Sequence, residues 1–280
     1  MVRPSPRLLA VDLDGTLLAR SGEAHAEDVA ALKAARAAGV TVTIVTGRLF
    51  SGTKWVAEAL GLEGPVGCAD GAHVAHAVTG ETLLHTALTG DDAARLRDGL
   101  ARRPLATFLF ARDTIVHDDA GEGFLHFMRT WSPQVERATR VLEHDAWFQA
   151  HGVTAVVAVA EEAHVAATVE TIRGELSEVA QVLSFPVGQT GLWGLITRAR
   201  GVDKGTALAF IARGAGVPLG ATVAVGDWLN DLPMFRVAGR SFVMGQAPAE
   251  VKAAATDVLE ETGERGGGIA RVVREVFGVR

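Results

Sequence analysis

One cysteine stands in the whole chain, Cys68. That scarcity excludes an intramolecular disulfide framework and a thiolate metal cluster together. Long apolar runs are also lacking. The most apolar stretch, Val153–Ala160, falls far short of the ~20 residues that cross a bilayer. At the N-terminus Arg3 and Arg7 precede only Leu8–Val11 before Asp12 interrupts, whereas a signal peptide needs an apolar region of roughly 7–15 residues. A cytoplasmic protein with no membrane partner is therefore expected. Positive charge is neither in excess nor clustered: Lys and Arg number 27 against 33 Asp and Glu, a formal net charge of -6, with a pI near 5.9. Nucleic-acid binders concentrate basic residues on one face. Here the short groups Arg95/Arg97 and Arg102/Arg103 read as solvated helix faces, and no nucleic-acid partner is expected.

Material for a core is ample. Of 280 residues, 48% are hydrophobic and 21% charged, which excludes a disordered chain and fits one large domain or two modest ones. Leu8–Asp12 is a short apolar run suited to a strand buried on both faces. Glu27–Ala38 reads as a helix stopped by Gly39, and β-branched Val40–Val45 as the next strand. A helix over about 54–60 and a strand at Val66–Ala69 continue an alternation that argues for a parallel sheet with crossover helices. The same pattern returns in Lys204–Ala212, Ala221–Val225, Asp231–Val237, Ser241–Met244 and Ile269–Phe277. Gly266-Gly267-Gly268 lacks the Lys-Ser/Thr ending of a phosphate loop and reads as a helix entry. Between these halves come strands at Leu105–Phe110, Thr114–His117, Val153–Val159 and Val179–Phe185, with helices near Asp91–Arg102 and Glu161–Leu176. The expectation is an α/β core over 1–80 and 195–280 with an inserted α+β domain over 81–194.

Four segments carry chemistry, each just after a predicted strand or opening the helix before one, where open sheets bind ligands. In Asp12-Leu13-Asp14-Gly15-Thr16 two carboxylates crowd one strand end. Two unit charges ~4 Å apart at an effective dielectric of ~20 interact by roughly 4 kcal/mol, so such a pair fits a cation or proton chemistry better than a helix cap. Thr46-Gly47-Arg48 offers a hydroxyl and a backbone amide to an oxyanion, and alone it suits an ordinary turn equally. Lys204, in Gly201-Val202-Asp203-Lys204-Gly205, opposes the helix macrodipole and makes better sense facing a phosphate. In Gly226-Asp227-Trp228-Leu229-Asn230-Asp231 two carboxylates four apart can act as a metal ligand and its support, and magnesium takes oxygen donors while keeping several waters. His73 and His76 are three apart with no third ligand at a recognisable spacing, and Phe124–Met128 reads as core of the inserted domain.

In that order and spacing, Asp-Leu-Asp-Gly-Thr at 12–16, Thr46, Lys204 and Gly-Asp-x-x-x-Asp at 226–231 resemble the haloacid dehalogenase-like hydrolases. The large α+β insertion is similar to the C2B cap of that superfamily's Cof-type phosphatase branch, on a Rossmann-like parallel-sheet core. Many Cof-like members carry Asn-Gly-Ala after the third strand, where this chain has Asp70-Gly71-Ala72. That extra carboxylate either alters substrate preference or caps the turn. The role of Trp228, a bulky residue in the metal loop, stays open.

The resemblance implies a magnesium-dependent phosphatase. Asp12 would be the nucleophile, forming an aspartyl-phosphate, and Asp14 the general acid and then base. Mg2+ would be held by the Asp12 carboxylate, the Asp14 carbonyl and Asp227, with Asp231 and Asn230 in support. Thr46, Gly47 and Lys204 would bind phosphate. The implied partner is a small phosphorylated metabolite, acted on by a monomer or homodimer. Asp14 argues against the dehalogenase and phosphonatase branches. Rival readings are a sugar phosphomutase on the same core and cap, and a non-catalytic phosphoacceptor or binding protein. A signalling receiver module also uses acids, Thr and Lys on a parallel sheet, but lacks an insertion and carries adjacent acids.

Overall fold

Leu8–Val11 is apolar and buried at every position, as a strand covered on both faces requires. The computed structural model describes residue 5 and residues 7–279; Arg3, noted in the N-terminal reading, and Arg280, the last of the expected core, lie outside the described residues. In chain order β1 (Leu8–Val11), α1 (Ala26–Ala37), β2 (Thr41–Ile44), α2 (Phe50–Leu60), β3 (Pro65–Cys68), β4 (His73–His76) and β5 (Thr82–His85) come first. Next are α3 (Gly90–Leu100), β6 (Ala106–Ala111), β7 (Thr114–His117), α4 (Leu125–Trp131), β8 (Val135–Arg137), β9 (Ala155–Glu161), α5 (Glu162–Glu175), β10 (Ala180–Pro186) and β11 (Leu192–Ala199). The last group is α6 (Lys204–Gly214), β12 (Thr222–Gly226), α7 (Leu232–Val237), β13 (Arg240–Val243), α8 (Ala249–Ala254), β14 (Asp257–Val258) and α9 (Gly268–Phe277).

The chain divides into two compact units: residues up to 47, 53–83 and from 203 onward in one, residues 48–52 and 84–202 in the other. The first unit holds a sheet ordered β14-β13-β12-β1-β2, parallel throughout. Its core includes Leu8, Leu9, Leu32, Ile44, Val223 and Phe242. The chain leaves β1 for β2 on one side and returns later to β12 on the other, so the sheet's topological switch lies at β1, where ligands bind beyond the carboxyl ends of the strands. A small sheet, β3-β4-β5, adjoins the β2 end, where the Thr46 N–H donates to the Gly67 carbonyl at 2.9 Å.

The second unit is built on a mixed sheet ordered β10-β11-β9-β6-β7-β8, with only β7 and β8 parallel among the neighbours. Phe108, Phe110 and Trp147 are buried in it, and Phe108 meets Phe124 edge-on. Met128 is buried as well, whereas Phe124 is half-buried and Phe127 exposed, so the Phe124–Met128 segment is core only in part. β11, a strand that the sequence reading did not separate, pairs with both β9 and β10, and the chain rejoins the first unit at Asp203. The α/β class is as expected: a parallel core sheet and a separate α+β unit. Among the described residues no helix is long and apolar enough to cross a membrane.

Candidate active site

The carboxyl end of the parallel sheet gathers residues far apart in sequence. The Asp12 N–H donates to the Val225 carbonyl and the Val45 N–H to the Val11 carbonyl, each at 3.0 Å. Three strand ends are thereby held side by side. Asp12 follows β1, Thr46 follows β2 by two residues, and Asp227 follows β12. Lys204 opens α6, whose entry is fixed by a reciprocal cap: Asp203 accepts from the Thr206 N–H while the Thr206 hydroxyl accepts from the Asp203 N–H.

Lys204 is 1% exposed, and its ammonium donates to Asp12 Oδ1 at 2.5 Å and to Asp231 Oδ1 at 2.6 Å. Asp231 is committed on its other oxygen too, where Oδ2 accepts the N–H groups of Asp227 and Trp228 at 2.8 and 2.9 Å. Its carboxylate therefore shapes the 227–231 loop. Asp227 is bounded by different partners: the Thr16 hydroxyl donates to Oδ1 at 3.2 Å and the Gln246 amide to Oδ2 at 3.1 Å. Gly15 lets the first loop approach this carboxylate. Its φ is +79°, and a Cβ there would collide with Asp227 Oδ2.

Charge in this cluster is unbalanced. Burial lifts Asp12 well above the ordinary carboxylate range; Lys204 draws it back, while Asp231, Asp227 and Asp14 push it further up. Burial first, then the charge of Asp231, pushes Asp227 up to about 6, against the Gln246, Lys204 and Thr16 contacts. Burial works to lower Lys204, but Asp12, Asp231 and Asp70 outweigh it and hold the ammonium above its usual value.

The carboxylate oxygens of Asp12, Asp227 and Asp231 lie within 4.8 Å of one another. An all-oxygen, multiply anionic donor set fits a hard divalent cation. Because Asp231 is spent on Lys204 and two backbone amides, Asp12 and Asp227 are the side chains that fit as ligands. Asp14 is exposed and its carboxylate stands outside this trio. Thr46 is buried, and its carbonyl accepts the Asp70 N–H at 2.9 Å. Asn230 donates its side-chain amide to Asp70 Oδ1 at 2.8 Å, and a Cβ on Gly47 would stand 3.3 Å from that same oxygen. Trp228 is 48% exposed.

The histidine pair is accounted for otherwise. His73 Nε2 bonds the Thr82 hydroxyl at 3.0 Å, and burial holds its pKa below the ordinary histidine value. His76 Nδ1 accepts the backbone N–H groups of Val78 and Thr79. Sequence reasoning assigned no role to Thr16 or Gln246. Thr16 lies inside the quoted 12–16 motif, and Gln246 follows β13 by three residues, so the strand-end rule that found the others marks both.

The family model of haloacid dehalogenase-like hydrolases matches residues 9–273. The chain belongs to the haloacid dehalogenase-like hydrolases. Among relatives of this hydrolase, the phosphatase YwpJ of Bacillus subtilis is 27% identical, over 93% of this chain and 96% of its own. The pyridoxal phosphate phosphatase YbhA of Escherichia coli is also 27% identical, over 90% and 93%. The solved structure of the subclass IIB sugar phosphatase BT4131 superposes on this hydrolase with a TM-score of 0.80, covering 98% of this chain and 100% of that one at 20% identity. These matches are those of the Cof-type branch.

Proposed function

We propose that this phosphatase removes phosphate from small phosphorylated metabolites through a covalent intermediate on Asp12. The hydrolysis of phosphoric monoesters is the activity class of its full-length relatives. The observation that carries the reading is the Lys204 ammonium, buried and bonded at once to Asp12 and Asp231 at the switch point of the sheet.

An Asp12 carboxylate oxygen attacks phosphorus, and the bond from phosphorus to the leaving oxygen breaks as the aspartyl-phosphate forms. Asp14, exposed beside it, gives the leaving oxygen its proton. It then takes a proton from a water molecule that attacks the same phosphorus, releasing inorganic phosphate and restoring Asp12. Thr46, through its hydroxyl, and the Gly47 amide orient the phosphoryl oxygens. Lys204 supplies positive charge where Asp12 would otherwise repel a phosphate dianion by roughly 4 kcal/mol per close pair. Magnesium, held by the Asp12 and Asp227 carboxylates with the Asp14 carbonyl, would supply the remaining charge neutralisation. Asp231 and Asn230 support the loop that carries Asp227.

The decisive measurement is inorganic phosphate release from a panel of sugar phosphates, pyridoxal phosphate and other phosphomonoesters, with magnesium or chelator, in wild type and Asp12→Asn. Magnesium-dependent release lost by at least about 1000-fold in Asp12→Asn is expected, since such a nucleophile acts as a unit with its partners. Undiminished release in that variant would remove Asp12 from its role. Consumption of a sugar phosphate without phosphate release would replace transfer to water by transfer between sugar hydroxyls.

A further inference from the structure

Gln246 is an exposed side chain that makes three directed contacts. Its amide nitrogen donates to the Gly15 carbonyl at 2.6 Å and to Asp227 Oδ2 at 3.1 Å, while its amide oxygen accepts the Gly263 N–H at 3.2 Å. All four residues belong to the first unit. Gly263 packs so closely on Gly15 that a Cβ there would collide with the Gly15 carbonyl, and the Gly263 carbonyl in turn bonds His25 Nε2 at 3.1 Å. One primary amide thus ties the loop after β1, the carboxylate after β12 and the segment before α9 into a single junction.

We propose that Gln246 is a positioning residue for the divalent cation. It holds the Asp227 carboxylate in the orientation that binds the ion and couples ion binding to the 262–266 segment. This role rests on the cation site argued above. A carboxylate oxygen has more than one lone pair, so Asp227 Oδ2 can keep the Gln246 hydrogen bond while the carboxylate ligates a cation. With Thr16 fixing Oδ1, removal of Gln246 leaves that carboxylate held from one side only. Residues that orient a metal ligand commonly govern affinity by 10–100-fold. Linkage is reciprocal: if Gln246 joins the ion to Gly263, binding the ion must quiet the Gly263 amide.

The test is calorimetric titration of the full-length protein with magnesium chloride, using wild type, Gln246→Ala and the length-preserving Gln246→Met. It is paired with amide hydrogen exchange across 261–266, with and without the ion. Asp227→Ala serves as the control for the site itself. The expected result is a magnesium dissociation constant raised about 10-fold or more in both Gln246 variants. Magnesium should slow exchange at Gly263 in wild type and not in either variant. Wild-type affinity in both variants, or tighter binding, would overturn the positioning role. Equal magnesium protection of Gly263 in wild type and variants would overturn the coupling. A wild type that binds no magnesium would remove the cation site, and this role with it, whereas binding that Asp227→Ala abolishes but Gln246→Met leaves intact would remove only the role of Gln246.

Discussion

Asp70 adopts φ 50° and ψ 36°, and Ala69 before it has φ 50°. Left-handed backbone is tolerated by Asp and Asn, whose short polar side chains bond locally, far better than by most residues. Turn chemistry alone would explain an acid at this position. The carboxylate, however, is buried, accepts from Asn230 and borders Gly47, so its charge faces the proposed phosphate-binding turn. Asp70→Asn keeps the backbone preference and an acceptor for Asn230 while removing only the charge. The expected outcome is tighter product inhibition, with the inhibition constant of inorganic phosphate falling about 3–10-fold, the size expected for one partly screened charge. Steady-state kinetics with added phosphate reads this directly. An unchanged constant would reduce Asp70 to its turn. Asp70→Ala should lose stability as well, because it breaks the Asn230 bond and strains the left-handed residue.

At the level of elements, the entry of α9 is secured by a residue remote in sequence. α9 begins after Gly267, whose φ of 81° makes the Gly266-Gly267-Gly268 run the helix entry its sequence suggested. Buried Asp28 of α1 caps it, accepting from Gly267 N–H at 2.9 Å and Ala270 N–H at 2.8 Å. Asp28→Ala should cost about 1–3 kcal/mol, because a buried donor and a half-buried one lose their acceptor. Chemical denaturation at neutral pH checks this. Burial raises the Asp28 pKa, only partly offset by those two amides, so the folded chain holds this proton more tightly than the unfolded one. The Asp28 contribution is then fullest below the unfolded value near 3.8 and declines as pH rises through the folded value. The advantage of wild type over Asp28→Ala should therefore narrow as pH rises above the unfolded value near 3.8.

The same scale explains what could be read beforehand. β1 was legible as an unbroken apolar run, β12 as a nearly unbroken one and β2 by its β-branched residues, and each ends at a polar motif. Asp12, Asp227 and Lys204 could be singled out because each is chemically out of place locally, an acid ending an apolar strand or a lysine opening a helix. β11 was not separated because Thr197 and Arg198 interrupt its apolar pattern, and only pairing with β9 and β10 reveals it. Thr16 and Gln246 lie beyond strand ends but carry no chemical anomaly of their own, and their contacts with Asp227 form only when distant loops come together. The Asp28 cap on α9 spans the length of the first unit's chain and has no signature within either helix.

Across the whole molecule, the cluster at the head of the first unit sets three carboxylates, Asp12, Asp227 and Asp231, against the single ammonium of Lys204. Ionised carboxylates in excess of their counter-charge cost stability when buried, and the raised values of Asp12 and Asp227 express that cost. A cation that binds only the folded chain must then stabilise it by mass action, about 2.7 kcal/mol at a concentration 100 times its dissociation constant. For a chain of this size that corresponds to a melting temperature higher by roughly 5 °C. Thermal unfolding with chelator and with saturating magnesium should show this rise in wild type. Asp227→Ala, which removes one carboxylate and one proposed ligand together, should lose the magnesium-dependent part. In chelator the same variant should lose less stability than an ordinary buried truncation, because the charge it removes was already in excess. A wild-type melting curve indifferent to magnesium, at a concentration that supports turnover, would mean that Lys204 alone balances the cluster. The excess charge would then serve to hold the lysine in place.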